Sequence, residues 1–194
     1  MNTGVIWFRN ALRLNDNRVL VECLNSTNSQ TILPLYILDK GDLEQNNNEN
    51  RIKFLYESLT DLNANFKAKF SCNLIVLNGK SEEIFQKLLG SDLLDISEIF
   101  TDYSTNPDDI KNENNLKSIL PKNASVKLHL ISKVNSLTNI QEVVSQENFK
   151  PPKTMKDMEK LFSNLYPKDE DGFYSIDEPL DNPETVSYTH LTLP

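Results

Sequence analysis

Apolar residues fall along this chain in short unbroken runs separated by longer amphipathic stretches, and the two alternate. Val5 to Phe8 is β-branched and aromatic with no polar break, the pattern of a strand buried on both faces. Asn15-Asp16-Asn17 is a run of N-cap residues directly before Val19, Leu20, Cys23 and Leu24, which share one helical face. Thr31 to Leu38 predicts a second strand, although Pro34 is awkward inside it. Asp39-Lys40-Gly41 ends that strand, and the Asn-rich run 45–50 predicts a solvated loop. Arg51 to Lys69 is the clearest helix, with Ile52, Leu55, Leu59, Leu62 and Phe66 at three- and four-residue steps.

The second half continues the alternation. Asn73 to Leu77 predicts a third strand, then a turn at Asn78-Gly79-Lys80. Ser81 is placed to cap the next helix, which carries Glu82 and Glu83 in its first turn and stops at Gly90. Ser97 to Thr101 is a fourth strand, and a helix is expected from about Asp108 to Leu120. Val126 to Ile131 alternates as a fifth strand. Strands alternating with helices predict an α/β fold: a three-layer, doubly wound, parallel five-stranded sheet over 1–135. An irregular linker follows over 136–185, with Pro151-Pro152, a short helix from Met155 to Leu165, and an acidic, extended stretch from Pro167 to Pro183.

Composition narrows the chemistry. The chain has 194 residues, a net charge of -8 and five glycines. An acidic chain has no bulk attraction for a phosphate backbone. Neither GxGxxG nor a P-loop is present, which counts against a nucleotide-binding domain of the adenine-nucleotide-hydrolase type. Cys23 and Cys72 lie beside apolar residues and are expected to be buried, reduced thiols. No apolar run approaches the ~20 residues of a membrane span. His129 sits in a strand pattern without a nucleophile arrangement, no cluster has metal-ligand spacing, and Asp169-Glu170-Asp171 is a solvated run.

Arg9-Asn10-Ala11-Leu12-Arg13 forms a loop with two cations at the carboxyl end of the first strand, where open α/β sheets bind ligands. Here a resemblance enters. Trp7, Phe8, Arg9, Leu12, Arg13, Asp16, Asn17 and Leu20 match in register the amino-terminal motif of the cryptochrome/photolyase family. Arg51, Phe54, Leu55, Ser58, Leu59, Asp61 and Leu62 resemble a helix of animal cryptochromes and (6-4) photolyases, and Pro151-Pro152-Lys153-Thr154 resembles the exit from the family's α/β domain. Ala11 departs from the pattern, standing where the family has aspartate, and Asn106-Pro107-Asp108 stands where many members carry Glu-Pro and an aromatic residue.

The resemblance implies a Rossmann-like α/β domain that often holds an antenna chromophore, a pterin or a deazaflavin, beside a helical domain that holds FAD. It implies that this chain is truncated before the helical domain, its expected partner. DNA or clock proteins would be met only through that domain, in the nucleus or cytoplasm and away from membranes. The parent role would be blue-light photoreception and circadian signalling, or light-driven DNA repair. With Trp7 as its single tryptophan, the chain alone is expected to carry no repair activity. The alternative is a diverged interaction domain that kept the fold without a chromophore. The candidate cofactor-binding residues are Phe8, Arg9, Asn10 and Asp102, brought together if the loops after strands one and four face each other, and Arg51, which matches an arginine beside the antenna chromophore in some family members. A competing reading has Arg9 and Arg13 paired with carboxylates to hold loops in place. Residues 186–194 leave the family pattern and resemble a translated sequencing adaptor, so a non-native end is expected.

Overall fold

The computed structural model describes residues 2–39, 48–120, 126–136, 138–174 and 180. The Asn-rich run before residue 48, residues 175–179 and 181–183 of the acidic stretch, and the tail 186–194 lie outside them. In chain order the elements are β1 (Asn2–Phe8), α1 (Arg18–Asn25), β2 (Thr31–Leu38), α2 (Glu49–Phe70), β3 (Ile75–Asn78) and α3 (Ser81–Leu89). There follow β4 (Asp95–Asp102), α4 (Pro107–Ile119), β5 (Lys127–Ile131), α5 (Ile140–Val144) and α6 (Met155–Leu165). The sheet is parallel with order β3-β2-β1-β4-β5, so Trp7 lies on the middle strand.

The period-two alternation of β1 divides the core. Ile6 and Phe8 pack with Val19, Leu20 and Cys23 of α1 and Leu59, Leu62 and Phe66 of α2. Val5 and Trp7 face the other way, against Phe85 of α3 and Leu116 of α4. Trp7 and Phe85 meet edge to face, with ring centroids 5.1 Å apart. Pro34 is tolerated because β3 joins β2 only from Leu35 onward, so Pro34 is paired on the β1 side alone.

Four expectations need correction. Ser81 is not a cap: it is the first helical residue and buried, while Lys80 holds the N-cap position without a side-chain bond. The third strand begins at Ile75, after Asn63 of α2 has accepted the Leu74 amide at 3.0 Å. Cys72 is half-buried rather than buried, and burial pushes its thiol up to about 11; Cys23 is buried and its thiol is raised further by desolvation and by Glu98. Residues 168–174 are not extended: Lys168 and Tyr174 form an antiparallel bridge around a turn at Gly172, whose φ is 85°. Helix α5 had no sequence signal beyond Asn139, which caps it.

At the amino-terminal edge of the sheet, Glu98 of β4 is buried. It accepts Ser29 Oγ at 3.0 Å, His129 Nε2 at 3.0 Å, Asn28 Nδ2 at 3.4 Å and a short bond from Ser26 Oγ. His129 is stacked on Phe100 at 4.5 Å. Gly4 permits this close approach, since a Cβ there would stand 2.7 Å from Ser29 Oγ and 3.1 Å from Cys23 Sγ. No described helix is long and apolar enough to cross a membrane.

Candidate functional site

The strand order reverses between β1 and β4, and the loops leaving their carboxyl ends meet there. Asn17 shapes the first loop. Buried completely, it accepts the Val19 and Leu20 amides as the α1 cap and donates to the carbonyls of Ala11 and Arg13. Arg13 donates to the carbonyls of Asn15, Asp16 and Val134, tying the same loop to the segment after β5. It holds loops, as the competing reading expected, and among the described residues it does so through backbone carbonyls.

Arg9 is locked from beneath. Its Nε donates to Asp102 Oδ1 at 3.3 Å and its Nη1 to Glu113 Oε1 at 2.9 Å, while Nη2 makes a short bond to the Asp102 carbonyl. The guanidinium carbon lies 5.1 Å from the Trp7 ring centroid. Asp102 also accepts Nδ2 of Asn10 and Nδ2 of Asn135, each at 3.0 Å. Asn10 reaches on to Asp109 Oδ2 at 3.2 Å.

Above this network is a cleft of about 420 Å³, in the size range of small-molecule sites. Tyr36 and Phe54 give it accessible aromatic surface, the buried Trp7 and Phe8 border it, and Asn10, Ser58 and Asn112 give it neutral polar groups. Arg9 and Arg51 also line it, with Asp39, Asp108 and Asp109. Phe8, Arg9, Asn10 and Arg51 are therefore brought to one cavity. Asp102 is not among the lining residues; it is buried beside Arg9. Ala11 is buried in the core under the loop. Tyr103 lines a second cavity of about 350 Å³ between the ends of β4 and β5, shared with Asn10 and Asn135.

Glu113, Asn135 and the aspartates of α4 were not singled out from sequence. Glu113 had one local signal, its place one helical turn before the core residue Leu116. The start of α4 was legible: Asn106 caps it, Pro107 takes the first position, and Asp108 and Asp109 follow. Among the described residues there is no cluster of His, Cys, Asp and Glu that could hold a metal ion.

A family model for DNA photolyase matches residues 4–175. Cryptochrome-1 of Spalax judaei is 30% identical over 165 residues, covering 84% of this chain and 27% of that protein. The blue-light photoreceptor PHR2 of Arabidopsis thaliana is 32% identical over 128 residues, 60% of this chain and 26% of its own length. The cryptochrome of Synechocystis sp. PCC6803 has the same fold, with a TM-score of 0.76 at 20% identity over 100% of this chain and 39% of that one. An archaeal photolyase from Sulfolobus tokodaii gives 0.71 at 18% identity, over 96% and 38%. The chain spans about a quarter of the length of the curated relatives it matches.

Proposed function

This chain belongs to the DNA photolyase family and has the α/β fold of its amino-terminal domain, and from that premise we propose that it seats an antenna chromophore beside a helical, FAD-carrying domain. The observation that carries this reading is the aromatic-lined cleft at the carboxyl edge of the sheet, next to the switch point. A planar ring of the pterin or deazaflavin type fits its size and its walls. Tyr36 and Phe54 would supply apolar contact to the ring, while Asn10, Ser58 and Asn112 would meet its polar edge. Such a group supplies absorption of near-ultraviolet or blue light and passes excitation onward.

Flavin photochemistry, and contact with DNA or clock proteins, would belong to the helical part, in the nucleus or cytoplasm. One Arabidopsis relative is named a blue-light photoreceptor, and the Sulfolobus tokodaii photolyase holds two FAD molecules with the implication of a novel light-harvesting cofactor; both support a light-harvesting role. Two free thiols are in keeping with a reducing compartment. On this reading the chain alone has no repair activity.

A second reading, an interaction domain without chromophore, draws on the occupation of Arg9 by Asp102 and Glu113. One titration separates the two. Adding a pterin and, separately, a deazaflavin to the purified chain should quench the emission of Trp7 saturably at one ligand per chain. No saturation up to about 1 mM ligand rejects the antenna reading in favour of the second.

A further inference from the structure

Asp16 makes a contact that neither the core nor the cleft uses. It lies in the loop between β1 and α1 and is held in the left-handed region, with a φ of 48°. Aspartate is among the few residues other than glycine that visit that region. Its exposed carboxylate reaches the far end of the chain: Oδ1 accepts the Leu180 amide at 3.1 Å, across 164 residues of sequence. Leu180 is half-buried there. An amide given to a carboxylate makes a stronger bond than one given to a neutral acceptor.

Beside this tether is a groove of about 440 Å³ between the same loop and the carboxyl-terminal half of α2. Arg13, Leu14 and Asn15 wall it on the loop side, and Asp61, Asn65 and Lys69 on the helix side. Asp61 accepts Asn65 Nδ2 at 3.0 Å within α2. Arg13 and Lys69 outnumber Asp61, so the groove is locally positive in a chain whose net charge is -8. Leu12 lines both this groove and the cleft at the carboxyl edge of the sheet, so one loop forms a wall of each.

We propose that this groove is the docking surface for the chain's own next residues, Asp181 to Thr185. They bring two carboxylates, Asp181 and Glu184, and no cation, which complements Arg13 and Lys69. Five extended residues reach at most about 17 Å, enough to cross a groove of this size. The Asp16 bond fixes where the segment begins, so its docking is intramolecular, at an effective concentration in the millimolar range. Exposed ion pairs that are weak between separate molecules suffice under that condition. The docked segment buttresses the loop from the side away from the cleft. This inference is independent of the chromophore-seat reading, since it uses neither the aromatic walls nor the cations of the cleft.

The test places the photocrosslinker p-benzoylphenylalanine at Asn182 of the full chain. Irradiation and peptide mass spectrometry should join it to 61–69 of α2 or to 12–15 of the loop, within one chain. Asp16→Gly suits the positive φ and removes the acceptor. It should cut the crosslink yield at least about fivefold and speed hydrogen exchange at the Leu180 amide at least about tenfold. Asp16→Asn tolerates the same φ, keeps an oxygen acceptor and should retain most of both. Lys69→Glu, on the exposed side of α2, should cut the yield while leaving the Leu180 amide protected. Circular dichroism checks the helix content of each variant, and if Asp16→Gly loses it, Lys69→Glu decides alone. Crosslinks to other parts of the chain, crosslinks between two chains, or none beyond residues 175–194 overturn the inference. So does a yield that either Asp16→Gly or Lys69→Glu leaves unmoved.

Discussion

Arg9 shows how one residue carries two meanings. It is a cation at the end of a strand, where ligands bind, and it is also the counterion of Asp102 and Glu113. Its side chain is 7% exposed, with those of Asp102 and Glu113 at 3% and 4%. At such burial the pairing is a structural necessity, because removing one partner leaves charges without compensation. Arg9→Ala should therefore destabilise the chain by about 3–5 kcal/mol in urea unfolding followed by circular dichroism. Adding Glu113→Gln to that variant should restore part of the loss, since it removes one orphaned charge. A loss below about 1 kcal/mol would mean that the carboxylates find other partners, as exposed pairs do.

Elements were legible where their signals are local. Asn17, Asn106 and the Thr154–Asp157 capping box each start a helix within three residues of sequence. Ser81 misled because its burial outweighs its capping preference. The connection between α1 and β2 is instead held to β4 and β5 through Glu98. Burial alone would raise the pKa of Glu98, but bonds from Ser26, Ser29, Asn28 and His129 outweigh it and hold the carboxyl below its ordinary range. A lowered folded-state pKa contributes stability above the unfolded value of about 4.3, and that contribution is lost as pH falls through the folded value. The wild-type chain should thus lose stability on acidification through this window more steeply than Glu98→Gln. Parallel stability-against-pH curves for the two would show that Glu98 does not act as the latch.

For the whole molecule, the net charge of -8 and the absence of a glycine-rich phosphate loop bear on partners. Asp39 after β2 and Asp108 and Asp109 at the start of α4 bring part of that acidity to the cleft, where Arg9 and Arg51 also stand. The chain should not retard duplex DNA in a gel at about 10 μM protein and ~100 mM salt. A salt-sensitive shift under those conditions would reveal a basic surface that the composition hides. The chain spans 27% of cryptochrome-1 of Spalax judaei, so the gel tests this chain and not the longer relatives.

The succession of strands and helices and the family were contained in the order of residues, because periodicity, caps and a contiguous motif act over a few positions at a time. The same local signals placed Arg9 at the ligand-binding edge. Whether its charge faces a ligand depends on Asp102 and Glu113, which are 93 and 104 residues away. Contacts at that distance arise when β4 and α4 pack beside β1, and no short window of sequence encodes them. The cleft is likewise a product of packing, since Asp39 follows β2 while Asp108 and Asp109 open α4, and the parallel sheet gathers them at one edge.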